Sequence, residues 1–208
     1  MNSARRAWLL TSLKLMIGFC CYTLFSGCSS MSSVRLNYTP GPGEPLAASQ
    51  PVNVTVVDKR PFVLNGDEPP AFVGHVRGGY GNPWGYTTQG KIPLAKQMEV
   101  DLTKDLAALG FTVATPAAKR RLGVVITDFN FDGYMGGKFW YEIKVTVRDA
   151  SDTVLAEQTI KDQHRISASM RGAHYSIREE VPGFYQQLVR KLVRENPKIL
   201  QALKSSGK

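Results

Sequence analysis

The stretch KFWYEIKVTVRD, residues 138 to 149, constrains this chain more than any other. Phe139, Tyr141, Ile143, Val145 and Val147 fall on one side of an extended strand. Lys138, Trp140, Glu142, Lys144, Thr146 and Arg148 fall on the other. Side chains alternate between the two faces of a strand, so one face is dry and one is wet. That is the pattern of an antiparallel sheet covered on one side only. DASD, 149 to 152, reads as a turn, and TVLAEQTIKDQ, 153 to 163, as the returning hairpin partner.

Other segments extend the sheet. RLGVVITDFNF, 121 to 131, reads as a long strand, and VNVTVVD, 52 to 58, as another, with Val52, Val54 and Val56 alternating. AFVGHV, 71 to 76, predicts a short strand, and FTVAT, 111 to 115, an edge strand. Helical periodicity begins after Pro93, where Leu94, Met98, Leu102, Leu106 and Leu109 share one face and Gly110 suits the C-terminal cap. Ile177, Val181, Phe184, Leu188 and Leu192 set a second helix. Its start is expected either at a capping box of Ser176 and Glu179 or, because Pro182-Gly183 interrupts the run, at Pro182. Asn196-Pro197 ends or kinks it, with a short amphipathic turn beyond. The expected fold is α+β: a two-layer sandwich, mainly antiparallel, with two helices packed on one face.

The first 27 residues read as an export signal. Arg5, Arg6 and Lys14 precede an apolar run, Leu15 to Phe25, of eleven residues. As a helix that run is about 16 Å long, shorter than the roughly 20 residues needed to span a bilayer. Ser26 and Gly27 then lead into Cys28, and LFSGC resembles the bacterial lipobox, whose cysteine carries a diacylglycerol once the signal is cut before it. The cysteines agree: Cys20 and Cys21 lie in the signal, so the mature chain keeps Cys28 alone. Ser29 after it, rather than Asp, favours the outer membrane in the sorting rule this resembles. Residues 28 to 50 are the lipidated cysteine and a flexible tether rich in Ser, Pro, Gly and Ala, and residues 51 to 208 a single α+β periplasmic domain.

The chain carries 26 Lys and Arg against 17 Asp and Glu; loss of Arg5, Arg6 and Lys14 leaves 23 against 17, or +6. This mildly basic surface suits anionic lipid or cell-wall polymer, and nucleic acid is not expected as a partner of an exported protein.

No catalytic constellation stands out. There is no HExxH or Ser elbow, and His75, His164 and His174 have no His or Cys partner nearby in sequence. DFNFDG, 128 to 133, matches the start of a calcium loop, but the twelfth position, where a bidentate Glu is required, is Phe139. The alternating Phe129 and Phe131 fit a strand running into a hairpin at DGYMGG, so no metal and no other cofactor is expected. Asp58 and Arg60 are expected to form a structural ion pair. The most unusual stretch is GHVRGGYGNPWGYTTQG, 74 to 90, which holds six glycines. It has no phosphate-loop ending. Its Arg77, Tyr80, Trp84 and Tyr86 are either a partner-binding surface or a loop whose aromatics cap the core.

LFSGC, VNVTVVDKRP, GHVRGGYGNP, LAALGFTV and YEIKVTVRD together resemble the YajG-type bacterial lipoproteins, over about residues 24 to 165. The resemblance implies an envelope location and brings no catalytic residues. The expected function is a lipid-anchored, periplasm-facing outer-membrane lipoprotein that binds or scaffolds an envelope protein or cell-wall partner and is not an enzyme. The alternative is an auxiliary lipoprotein of an envelope lipid-transport system, which a lipid-sized cavity between sheet and helices would favour.

Overall fold

β5 (Arg120–Gly133), β6 (Gly137–Asp149) and β7 (Val154–Ile166) form the spine of the structure, a meander of long antiparallel strands. This is a computed structural model, and it describes residues 33–41, 51–78, 80–113 and 118–205. Along the other edge of β5 lie β2 (Val52–Asp58), parallel to its first half, and β3 (Phe72–Arg77), parallel to its end. β4 (Pro83–Thr88) returns antiparallel to β3, and the short β1 (Ser33–Val34) flanks β4. The result is a mixed, mostly antiparallel sheet of seven strands.

A four-residue helix α1 (Pro61–Leu64) follows β2. Helices α2 (Leu94–Ala108), α3 (Ala173–Leu192) and α4 (Pro197–Lys204) pack against the sheet. The apolar sides meet as the alternation requires: Phe139, Tyr141, Ile143, Val145 and Val147 are all buried. They pack with Leu94, Met98, Leu102 and Leu106 of α2 and Ile177, Val181, Tyr185 and Leu188 of α3 in one core. The α+β architecture, the hairpin of β6 and β7, and α2 with its Gly110 in the left-handed region (φ +88°) follow the sequence pattern.

Several expectations are corrected. The second helix begins at Ala173, behind Gly172, and runs through Pro182. Val181 and Tyr185, both buried, clamp the turn on either side of the proline, and tertiary packing outweighs its local cost. Ser176 is buried inside this helix and caps nothing. The final turn is an eight-residue helix whose Asn196 side chain accepts from the Ile199 amide, so a third long helix joins the layer. FTVAT contributes a single bridge, Val113 to Val52, among its described residues.

The domain also starts earlier than residue 51. Val34, Leu36 and Tyr38, expected in a flexible tether, are buried in the core. The Tyr38 hydroxyl donates to Asp105 of α2 at 2.5 Å. From Val34 onward the described residues form one compact unit. Residues 42–50 and the signal, with Cys28, lie outside the described residues.

Candidate functional site

The Gly-rich stretch 74 to 90 is not a loop but the β3–β4 hairpin, and it divides its predicted site residues into two groups. Gly74 is needed because a Cβ there would come within 2.5 Å of the Phe131 ring and carbonyl oxygen. That close approach shifts the register between Phe72 and Gly74. Tyr86 consequently turns inward. It is fully buried, its ring edge-on to Phe131, and its hydroxyl is hydrogen-bonded to Nδ1 of His174 on α3. Burial raises the Tyr86 phenol pKa above its usual value. Burial, and next the Arg178 charge, lower that of His174, which favours the neutral imidazole at pH 7. Tyr86 therefore belongs to the core rather than to a binding face.

Trp84, Arg77 and Tyr80 remain outside. Trp84 is half exposed, stacked on His174 with ring centres 5.6 Å apart. Arg77 reaches Asp132 of β5 with a forked contact at 2.6 to 3.1 Å. Tyr80, at the hairpin turn, is fully exposed.

The structure adds residues to this group. Tyr134 and Met135, in the β5–β6 turn, and Met170, between β7 and α3, are exposed and face the same groove as Trp84 and Arg77. The groove has a volume of about 530 Å³ and mostly apolar walls, including Val76, Ala168 and Ala173. A signal for Tyr134 and Met135 existed in the sequence: DGYMGG puts two large apolar side chains into a tight turn, where a water-facing hairpin favours Asn, Asp or Gly.

The residues of the calcium-like motif are strand residues. Thr127 is an extra residue that shifts the register between Ile126 and Asp128, after which Phe129 and Phe131 enter the core. Asp128 accepts from the Trp140 indole at 2.9 Å, and its pKa is raised by burial against the opposing pull of that hydrogen bond. Asp132 is engaged by Arg77. The backbone of this motif is thus paired to β6 rather than wrapped around an ion.

Asp58 and Arg60 form the expected structural pair, in a more demanding setting than their positions suggest. Arg60 is fully buried; it forks onto Asp58 at 2.7 to 3.1 Å and donates to the carbonyls of Phe72, Pro70 and Phe129. It pins the start of β3 to the middle of β5, which places the hairpin above it. The histidines stand in separate aromatic settings: His75 beside Phe72, His164 stacked on Phe184, and His174 under Trp84.

No protein-family model matches the chain, and no curated protein matches it. Solved structures do. A Xanthomonas campestris protein of the DUF330 family is 15% identical, with a TM-score of 0.50, over 77% of this chain and 93% of its own. The PelC dodecamer of Paraburkholderia phytofirmans is 15% identical over 81% and 95%, with a TM-score of 0.44. A minor lipoprotein of Acinetobacter baumannii is 8% identical over 70% and 91%, with a TM-score of 0.37. Bacterial lipoproteins are thus among the structural neighbours. At these identities the likeness is one of fold.

Proposed function

We propose that this protein is an envelope lipoprotein of the YajG type. It is anchored to the outer membrane through a lipid on Cys28, faces the periplasm, and serves as a non-enzymatic binding or scaffolding module. The observation that carries the reading is the run LFSGC behind a basic, apolar leader, with no cysteine beyond it. A thiol at that position meets no folded scaffold in the sequence around it, whereas small residues before it suit a signal peptidase. Two or more acyl chains on one cysteine hold a protein on a bilayer stably, at about 0.8 kcal/mol per buried CH₂.

The exposed part of the candidate site is the contact surface in this reading: Arg77, Tyr80 and Trp84, joined by Tyr134, Met135 and Met170. Large aromatics beside arginine are the side chains that dominate binding energy at interfaces. A lipid-sized cavity in the layer between sheet and helices would favour lipid transport instead. That layer is filled by side chains such as Met98, Leu102, Phe129 and Tyr185, all buried.

Growth of cells with labelled palmitate tests the anchor. The label enters the wild-type chain and is lost from Cys28→Ala; a label that persists in the variant defeats the reading.

A further inference from the structure

Three loops close the sheet at one end. The β3–β4 turn carries Tyr80 and Trp84, the β5–β6 turn Tyr134 and Met135, and the segment between β7 and α3 Met170. Trp84, Tyr134, Met135 and Met170 line one groove. Each loop also brings a cation, Arg77, Lys138 or Arg171; Arg77 is forked onto Asp132, and residues 133–138 and 167–172 contain no Asp or Glu. The opposite end of β6 and β7 has a polar tip instead: its turn presents Asp149, Ser151 and Asp152, the last paired with Arg121 and Arg148.

Met135 sharpens the contrast. It lies in the left-handed region, at φ +52°. A non-glycine residue there is strained relative to a right-handed conformation, a cost glycine avoids. The chain nonetheless keeps a long apolar side chain at this tip, where it is 71% exposed.

We propose that this end is the bilayer-facing surface of the domain. Tyr80, Trp84, Tyr134, Met135 and Met170 enter the boundary between headgroups and acyl chains, and Lys138 and Arg171 sit among the phosphates. Aromatic side chains with one polar end are the residues that concentrate at that boundary, and basic side chains reach from it to the headgroups. The inference rests on the anchoring of Cys28 proposed above, because the length of chain before the domain selects the occupant. Val34 is already buried in the core, so only six Cα-to-Cα steps separate the anchor from the folded unit. Fully extended, they reach at most about 20 Å. A domain on so short a leash cannot stand off the membrane, and some part of its surface must meet the bilayer. β1 flanks β4, and six-residue β4 carries Trp84 at its start, so the loop end lies within about the same 20 Å of Val34.

The full-length protein, purified with its lipid, is reconstituted in phosphatidylethanolamine–phosphatidylglycerol vesicles doped with dibrominated phosphatidylcholine. Tryptophan emission is compared with that of Trp84→Phe, so that the difference reports Trp84 alone. Side chains of this kind sit about 5–10 Å into the boundary, so shallow bromines should lower the Trp84 emission roughly twofold. The triple variant Tyr80→Ser/Met135→Ser/Met170→Ser, whose changes fall on exposed side chains, should abolish most of that quenching at an unchanged melting temperature. Trp84 emission that bromine leaves unchanged, in protein whose N-terminal peptide has the mass of a lipidated cysteine, overturns the surface assignment and leaves the anchor standing. An unmodified Cys28 refutes the anchor, and the quenching of Trp84 in the same vesicles still decides the surface.

Discussion

Replacing Arg60 by alanine gives a direct measure of how this fold holds its candidate surface in place. The guanidinium is wholly out of water, forks onto Asp58, and donates to the Phe72, Pro70 and Phe129 carbonyls. Its loss leaves a carboxylate that is only 10% exposed without its partner, and three carbonyls short of a donor. Breaking a buried pair by removing one member costs about 3–5 kcal/mol. Against a total of about 5–15 kcal/mol for a domain, the variant should be severely weakened. For a domain of this size each kcal/mol moves the melting temperature by about 2–4 °C, so a fall of about 6–20 °C is expected. Arg77→Ala supplies the comparison. It removes a fork of the same chemistry on Asp132, but both partners there are open to solvent, and such pairs contribute about 0–1 kcal/mol. Arg60→Lys should fall between, because an ammonium keeps the charge yet cannot serve the carboxylate and three carbonyls at once. Urea and thermal unfolding, followed by circular dichroism, give the three values. Equal shifts for Arg60→Ala and Arg77→Ala, or a loss below about 1 kcal/mol for the former, would refute the claim that burial makes the difference.

Tyr38→Ala should destabilise the domain by roughly 3 kcal/mol, comparable to other large-to-small changes in a core, because its ring packs in the core and its hydroxyl serves Asp105. A loss near zero in urea unfolding would return residues 34–38 to the tether. His174 supplies a pH dependence. Its pKa is lowered in the fold by burial and then by Arg178, so below its ordinary value of 6.5 the unfolded chain takes up more protons than the folded one. The stability contributed by neutral His174 is complete above that pH and is lost as pH falls toward the folded pKa. His174→Asn should flatten that part of the stability profile, and an unchanged slope would show that the group does not titrate there. Met135→Gly should raise the melting temperature, by relief of the left-handed strain, while reducing vesicle contact; a lowered melting temperature would mean that Met135 is packed rather than poised.

The elements most legible in the sequence are those whose period is local. Phe139 to Val147 and Leu94 to Leu109 announce a one-sided sheet and an amphipathic helix because each face is set by residues two, three or four apart. Those alternations suffice for an α+β sandwich, and LFSGC suffices for the expectation of a lipid anchor. What the sequence did not determine depends on residues far apart in the chain. Val34, Leu36 and Tyr38 look like tether until Asp105, 67 residues from Tyr38, provides a partner. Helix α3 survives Pro182 because Val181 and Tyr185 are held by the core, which outweighs the local preference. Tyr86 and Trp84 belong to one hairpin, yet register sends one into the core and leaves the other in water. The gathering of Trp84, Met135 and Met170 around one groove was decided by topology alone, since sheet pairing brings together turns that lie about fifty and thirty-five residues apart in the chain.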